Sequence, residues 1–293
     1  MKRSIPPQRN ALVSFHYYRD YDLGRLPNLR LIGDSGAFSA KTQGVQITVD
    51  DLAEWAVKWS ARLAWVAALD VIGNPEATYR NWRRMVDAYD LRAVPTVHFG
   101  TRPEELDRYA DAGCDFVGLG GLVGIQRKPA MRWLVQTMRY AAARHPAMRF
   151  HGWGCTSRHH ALLPFYSVDS SSWISGMRYG TMRLTDPRSG KVVAYSTNGR
   201  DALTGEPARL LRDYYGISPT DAAVSVPGNR PLLVRLSSMS VSARQQYLAR
   251  RHGQITPPSW TGTGAPAGPL EYAATTSTPI MADMNAAAGE ADR

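Results

Sequence analysis

Cysteine is scarce in this 293-residue chain: Cys114 and Cys155 are the only two, and neither belongs to a Cys-x-x-Cys pair. A disulfide framework and a zinc cluster of thiolates are therefore excluded. Apolar runs are short, and none reaches the roughly 18 residues of a membrane span. The N-terminus is basic but lacks the apolar segment of a secretion signal, so we expect a soluble cytoplasmic protein with no membrane partner.

Lysine is also rare. Only five of the 35 basic residues are lysine, so arginine supplies most of the net charge of +10. Arginine forms paired hydrogen bonds to phosphate and stacks on bases, so an arginine-rich basic chain points to a nucleic-acid partner. A GC-rich genome would replace lysine by arginine throughout, and composition alone leaves both explanations open.

Short apolar runs alternate with amphipathic segments along most of the chain. The apolar runs predict strands at 11–17, 29–33, 64–70, 91–98, 115–119, 148–153 and 166–169. The amphipathic segments predict helices at 50–62, 75–89, 102–112, 128–145, 156–163, 203–216 and 240–252. This alternation predicts an α/β fold, a (β/α)8 TIM barrel once one further strand is added. A doubly wound sheet is the rival, but no GxGxxG motif follows the first strand.

Two segments depart from the alternation. Residues 178–196 contain the turn-rich sequence TDPRSG between short alternating runs, which predicts an inserted β-hairpin. Residues 254–293 are rich in Pro, Gly, Ala, Thr and Ser and show no apolar periodicity, which predicts a disordered tail. We therefore expect one barrel domain over 1–253, hairpin included, followed by the tail.

Polar residues and glycines end most of the predicted strands. They are Asp34, Asp70, His98, Gly120, Gly121, His151 and Asp169. Barrel enzymes place their active sites at these strand ends. A carboxylate beside a buried strand is costly unless it is paired, hydrogen-bonded or functional. A single aspartate there could cap the next helix, but three aspartates converging on one barrel mouth predict a site.

Four candidate metal ligands lie within ten residues of one another: His151, Cys155, His159 and His160. Its spacing matches no standard zinc pattern. We therefore expect no bound metal and no cofactor.

Six motifs, in order, resemble those of the tRNA-guanine transglycosylase superfamily, which includes queuine tRNA-ribosyltransferase. They are DSGAF (34–38), AALDVIGNP (67–75), VHFG (97–100), VGLGGLVG (117–124), FHGWG (150–154) and YSVDSSSWISG (166–176). The similarity covers roughly residues 29–200. It is greatest to the phage and bacterial branch that inserts 7-deazaguanines such as preQ0 into DNA.

The resemblance implies a covalent mechanism with two catalytic carboxylates. Asp169 would be the nucleophile that attacks C1′, expels guanine and forms a glycosyl-enzyme. Asp34 would be the general acid/base, which protonates the departing guanine and deprotonates the incoming base.

The resemblance also implies which residues hold the base. Phe38 would stack on one face of the ring, with His151 on the other. Asp70 would accept hydrogen bonds from guanine N1–H and the 2-amino group, while Gly121 N–H and His98 would donate to O6. Ser35, Gly36, Gly120 and Leu122 would complete the base pocket.

One departure from the family bears on the substrate. The tRNA enzymes carry a C-terminal zinc subdomain with a cysteine cluster, and no cysteine follows Asp169 here. We therefore expect DNA and a free 7-deazaguanine base as partners, with phosphate contacts offsetting the cost of base flipping. The predicted contacts are Arg158, Arg178, Arg183, Arg188 and Lys191.

Three other functions remain alternatives. The first is the same exchange on tRNA, and the second is a nucleic-acid-binding barrel without catalytic activity, which would not need both Asp34 and Asp169. The third, an aldolase-type barrel, would need a Schiff-base lysine or a metal triad at a strand end, and no lysine occupies such a position. The sequence leaves the oligomeric state open.

Overall fold

The computed structural model describes residues 4–197, 199–223, 229–259 and 265–290, with the backbone alone for Lys41, Met177 and Ala202. Its strands are β1 (Asn10–Ser14), β2 (Arg30–Asp34), β3 (Leu63–Ala67), β4 (Ala93–Val94), β5 (Thr96–His98), β6 (Phe116–Gly120), β7 (Arg149–Gly152), β8 (Ser167–Ser170), β9 (Thr181–Thr185), β10 (Val192–Ser196) and β11 (Leu270–Ala274). Its helices are α1 (Phe15–Tyr18), α2 (Ala37–Thr42), α3 (Val49–Lys58), α4 (Pro75–Tyr89), α5 (Glu105–Asp111), α6 (Arg127–Arg144), α7 (Ser175–Tyr179), α8 (Gly205–Leu210), α9 (Pro219–Ala222), α10 (Arg230–His252) and α11 (Thr278–Glu290).

Nine of these strand segments form one parallel sheet in the order β4-β3-β2-β1-β11-β8-β7-β6-β5. Pro95 alone separates β4 from β5, so the two segments together occupy one strand position of the barrel. We call each such strand position a stave. Pro95 has no N–H for the sheet ladder, which explains why the predicted strand 91–98 is interrupted there. β4 pairs with β3 and β5 pairs with β6, so eight staves curve into the predicted (β/α)8 barrel.

The outer helices begin where local chemistry favours them. The Asn74 side chain accepts a hydrogen bond from Ala77 N–H at 2.9 Å, and Pro75 occupies the first turn of α4. Both features are typical helix starts, and α4 matches the predicted helix 75–89. The segment 156–163, predicted to be helical, contains only a short 3-10 turn at His160–Leu162.

The predicted tail is the main correction to the sequence analysis. β11 lies between β1 and β8 in parallel pairing and is the stave that the sequence did not identify. α11 follows it and buries Met281 and Met284. The prediction of disorder is therefore wrong for 265–290, and the barrel domain extends beyond residue 253. Residues 260–264 and 291–293 of the predicted tail lie outside the described residues.

Among the described residues, one extensive core lies between the sheet and the outer helices, and there are two further cores. Large apolar side chains from alternate strand positions fill the barrel interior, including Trp65, Phe116 and Tyr272. A second core lies under the antiparallel hairpin β9–β10, which packs on α10. The predicted hairpin is thus confirmed, as an insertion between β8 and β11. No helix in the described ranges combines the length and hydropathy that crossing a bilayer requires.

The closing stave provides a stability test. Tyr272 on β11 is buried in the barrel interior, so Tyr272→Ala should lower the free energy of unfolding by about 3–5 kcal/mol. Tyr179→Ala is the matched control, because Tyr179 is 76% exposed, and its effect should stay within about 0.5 kcal/mol. Denaturant unfolding followed by circular dichroism measures both. Equal, small effects would contradict a structural role for β11.

Candidate active site

A cavity of about 500 Å³ opens at the C-terminal ends of the barrel strands. The predicted site residues that line it are Asp34, Ser35, Phe38, Asp70, His98, Gly120, Gly121, Leu122 and Asp169. They come from five different strand ends and the loops that follow them. The barrel thus brings most of the predicted site together in one place.

Asp34 ends β2 on the cavity wall. Burial raises the pKa of its carboxyl to about 7, and repulsion from Asp169 and Asp70 acts in the same direction. A hydrogen bond from the Gly36 backbone acts against them. A carboxyl with a pKa near neutrality can both donate and accept a proton, as a general acid/base requires.

Asp169 is held in one orientation by two donors. Its Oδ1 accepts a hydrogen bond from Gly154 N–H at 2.9 Å and lies 3.3 Å from His151 Nε2. Both hydrogen bonds that described residues make to this carboxylate go to Oδ1. Oδ2 is therefore the oxygen available to a ligand in the cavity.

His151 is wholly buried behind Asp169 and does not line the cavity. Its Nδ1 lies 2.8 Å from Ser167 Oγ. Burial lowers the pKa of His151, although Asp169 opposes this. A carboxylate only accepts, so a neutral ring carries its hydrogen on Nε2 for Asp169 and accepts from the Ser167 hydroxyl at Nδ1. The prediction that His151 stacks on the base is therefore wrong: it supports Asp169 instead.

Asp70 and His98 form a pair on another part of the cavity wall. His98 Nε2 lies 2.7 Å from Asp70 Oδ2. Nε2 is engaged by Asp70, so Nδ1 is the ring nitrogen left to contact a base. The predicted contact from His98 to guanine O6 stays a prediction. Gly121 lies against His98, where a Cβ would be 3.2 Å from His98 Cβ.

The DSGAF segment divides into parts with different roles. Phe38 is 55% exposed at the cavity rim, where its ring is accessible. Ser35 lines the cavity, but its Oγ accepts a hydrogen bond from Ala37 N–H at the start of α2. Gly36 is buried with φ of 72°, and a Cβ there would lie 2.5 Å from both His16 Cβ and Ser14 Oγ. Packing against β1 and α1, rather than approach of a ligand, requires this glycine.

Trp153 is a cavity residue to which the sequence analysis gave no role. Its ring packs across Gly118 and Gly120, where a Cβ on Gly120 would lie 2.9 Å from Trp153 Cδ1. Its Nε1 donates to Thr96 Oγ1 at 3.0 Å. The glycines of VGLGG thus make room for an indole. The one sequence signal was a large aromatic between the two glycines of FHGWG.

Thr275 and Thr276 also line the cavity and were missed, because they follow β11 in the predicted tail. Arg178 Nη2 lies 3.4 Å from Thr276 Oγ1, which places this predicted DNA contact at the rim. Arg158 lies in the exposed loop after β7, which begins beside the cavity.

The hairpin cations are not among the cavity residues. Lys191 pairs with Glu206 at 2.6 Å, and the Arg188 guanidinium lies 5.7 Å from the centre of the Tyr214 ring. Arg183 is exposed on β9. For these three residues a DNA contact stays a prediction.

The histidine and cysteine cluster does not converge. Cys155 is buried, His151 faces Asp169, and His159 lies beside Arg127. Within the described ranges, no group of three or more His, Cys, Asp or Glu side chains is arranged to hold a metal ion.

The raised pKa of Asp34 has a consequence for stability. The folded protein holds this proton up to about pH 7, whereas the unfolded chain releases it near pH 3.8. Stability therefore falls as pH rises between these values, and the penalty persists above them. Asp34→Asn removes the penalty and should raise the free energy of unfolding by roughly 2–4 kcal/mol at pH 8.

The measurement is denaturant unfolding of both proteins at pH 4 and pH 8. Asp20→Asn, which changes an exposed carboxyl outside the cavity, is the control and should have the same small effect at both pH values. A gain in stability for Asp34→Asn that does not depend on pH would contradict the assigned pKa.

No protein-family model matches the chain, and no curated protein matches it. Among solved structures, the chain is similar to the 4-hydroxy-2-oxoglutarate aldolase/2-deydro-3-deoxyphosphogluconate aldolase at 18% identity and a TM-score of 0.32. The similarity covers 56% of this chain and 84% of that chain. At this level it carries no argument about substrate or reaction.

Proposed function

We propose that this protein is a base-exchange transglycosylase that replaces guanine in DNA by a 7-deazaguanine such as preQ0. One observation carries the proposal: Asp34 and Asp169 line the same cavity in different environments. One carboxyl has a raised pKa and the other is fixed by two N–H groups. A nucleophile and a general acid require this difference.

In the first half-reaction, Asp169 Oδ2 attacks C1′ of the deoxyribose. The C1′–N9 bond breaks, and guanine leaves with the electron pair while the Asp34 carboxyl donates a proton to a ring nitrogen. The product is an ester between Asp169 and the sugar. Each step has a lower barrier than direct displacement, because a carboxylate is both nucleophile and leaving group.

In the second half-reaction, the 7-deazaguanine occupies the cavity that guanine has left. The Asp34 carboxylate removes the N9 proton, N9 attacks C1′, and the bond to Asp169 breaks. Asp34 is then protonated again and the cycle is complete. The same group serves as acid and then as base, which a pKa near 7 permits at neutral pH.

Base recognition falls mainly to Asp70, Gly121 and Phe38, which line the same cavity. Asp70 Oδ1 is available for a guanine N–H donor, because His98 engages Oδ2. Gly121 N–H and His98 are the predicted donors to O6. Phe38 offers an exposed aromatic face at the rim for stacking.

The same chemistry on tRNA is the second candidate. The carboxylate pair does not distinguish DNA from RNA, since attack at C1′ is common to both sugars. No cysteine follows Asp169 in these 293 residues, whereas the tRNA enzymes that the motifs resemble have a cysteine cluster after the nucleophile. This feature favours DNA.

Base exchange is tested by incubating the protein with isotopically labelled guanine or preQ0 and either DNA or tRNA. We expect label in DNA, and loss of at least about 1,000-fold in rate for Asp169→Asn, since an amide cannot form the ester. Asp20→Asn should exchange at the wild-type rate. Label in tRNA alone, or undiminished exchange by Asp169→Asn, would overturn the proposal.

The contact between Ser167 and His151, behind Asp169, leads to a separate prediction. Ser167→Ala removes the hydroxyl that donates to His151 Nδ1, so the ring loses the contact that fixes its orientation toward Asp169. We expect kcat to fall roughly 10-fold or more with little change in KM and a shifted pH profile. Ser237→Ala, a buried serine of the second core, is the control. A parallel fall in both variants would indicate a packing effect.

A further inference from the structure

Three basic side chains meet beside the cavity. Arg127 Nη1 lies 2.9 Å from His159 Nε2, and Arg158 Nε lies 3.5 Å from the same nitrogen. A guanidinium can only donate hydrogen bonds, so His159 Nε2 is the acceptor for both. Partial burial and the two neighbouring positive charges lower the pKa of His159, which favours the unprotonated Nε2 that this arrangement requires.

The charge of this cluster is not neutralised. Among the described residues, neither Arg127 nor Arg158 forms an ion pair with a carboxylate, and both side chains are exposed. Arginines elsewhere do form such pairs, for example Arg84 with Asp50 at 2.6 Å. The two guanidinium groups share one neutral acceptor, so most of their N–H donors remain free for a ligand. Because the two positive charges repel each other, an anion bound between them is favoured.

The cluster borders the proposed active site through two loops. Leu122 and Val123 line the cavity, and a turn closed by Ile125 N–H and Leu122 O leads directly to Arg127 at the start of α6. Gly154 lines the cavity on the next loop, four residues before Arg158. The first turn of α6 contains no acidic side chain, so its N-terminal end adds to the positive potential.

We propose that Arg127 and Arg158, which converge on His159, bind a backbone phosphate of the DNA strand whose guanine enters the cavity. The inference rests on the proposed base exchange for the identity of that strand. A flipped nucleotide carries its phosphates across the rim, and planar guanidinium groups match phosphate oxygens through paired hydrogen bonds. The phosphate replaces His159 as the shared acceptor.

This location differs from the hairpin that the sequence suggested. Lys191 is already paired with Glu206, and Arg188 lies over Tyr214. Arg127 was not among the predicted contacts at all. Its neighbour His159 is separated from it by 32 positions, and only the barrel brings the two loops together.

The test measures binding of a fluorescein-labelled DNA duplex by anisotropy, with the full chain, between about 50 and 200 mM salt. The double variant Arg127→Ala/Arg158→Ala should bind more weakly at low salt. Its slope of log K against log salt should become shallower by about 1, because the single phosphate that both arginines bind is no longer neutralised. Arg83→Ala/Arg84→Ala, which removes two paired arginines from α4, should leave the slope unchanged.

Two further arms separate this proposal from the proposed reaction. Asp169→Asn should bind DNA with the wild-type slope, because the nucleophile takes no part in phosphate binding. A labelled RNA duplex of the same sequence should bind more weakly than DNA. If wild-type protein exchanges no base yet shows the arginine-dependent slope on DNA, the phosphate site stands and the reaction fails.

Two results would overturn the phosphate site. The first is an unchanged slope in the double variant, provided circular dichroism shows that it is folded. The second is a slope of log K against log salt that depends on the two arginines with the RNA duplex but not with the DNA duplex. A double variant that fails to fold is replaced by Arg127→Gln/Arg158→Gln, which keeps polar side chains and removes both charges, and the same slope decides the question.

Discussion

β11 lies between β8 and β1, and its pairing on both sides joins the first half of the barrel to the second. Tyr272 of β11 is opposite Asp169, and Ser14 of β1 is opposite Asp34. Two strands, β1 and β11, thus lie between the strands that carry the two carboxylates. Because backbone hydrogen bonds set the spacing of staves, closure of the barrel brings residues 34 and 169 to one cavity.

Within that cavity, three aspartate side chains have different surroundings and therefore different chemical properties. Asp34 is desolvated and near two other carboxylates, and both effects favour its protonated form. Asp169 accepts from a backbone N–H and faces a buried imidazole that Ser167 orients. Asp70 is engaged by His98. Mutual repulsion among the three is relieved by placing a proton on one, which supplies the acid that the proposed reaction needs.

Much of the fold could be predicted because its signals are local. Pro75–Tyr89 begins with a capping asparagine and a proline and has a clear helical period, and the hairpin has a turn-rich centre. β11 escaped prediction because its five residues stand in a stretch of low complexity. Their burial comes from neighbouring strands rather than from a pattern in the sequence around them. Pro95 was visible in the sequence, but its effect on strand continuity depended on the pairing of β4 and β5 with different partners.

The sequence by itself determined the alternation of strands and helices, the carboxylates at strand ends and the excess of positive charge, because each follows from residue type and short-range spacing. Only the tertiary structure decided that His151 turns to Asp169, that Gly36 is required by packing against His16 and Ser14, and that Arg127 meets His159. These contacts join residues distant in sequence. Their geometry depends on how the staves are staggered and how the interior is filled, which no local pattern encodes.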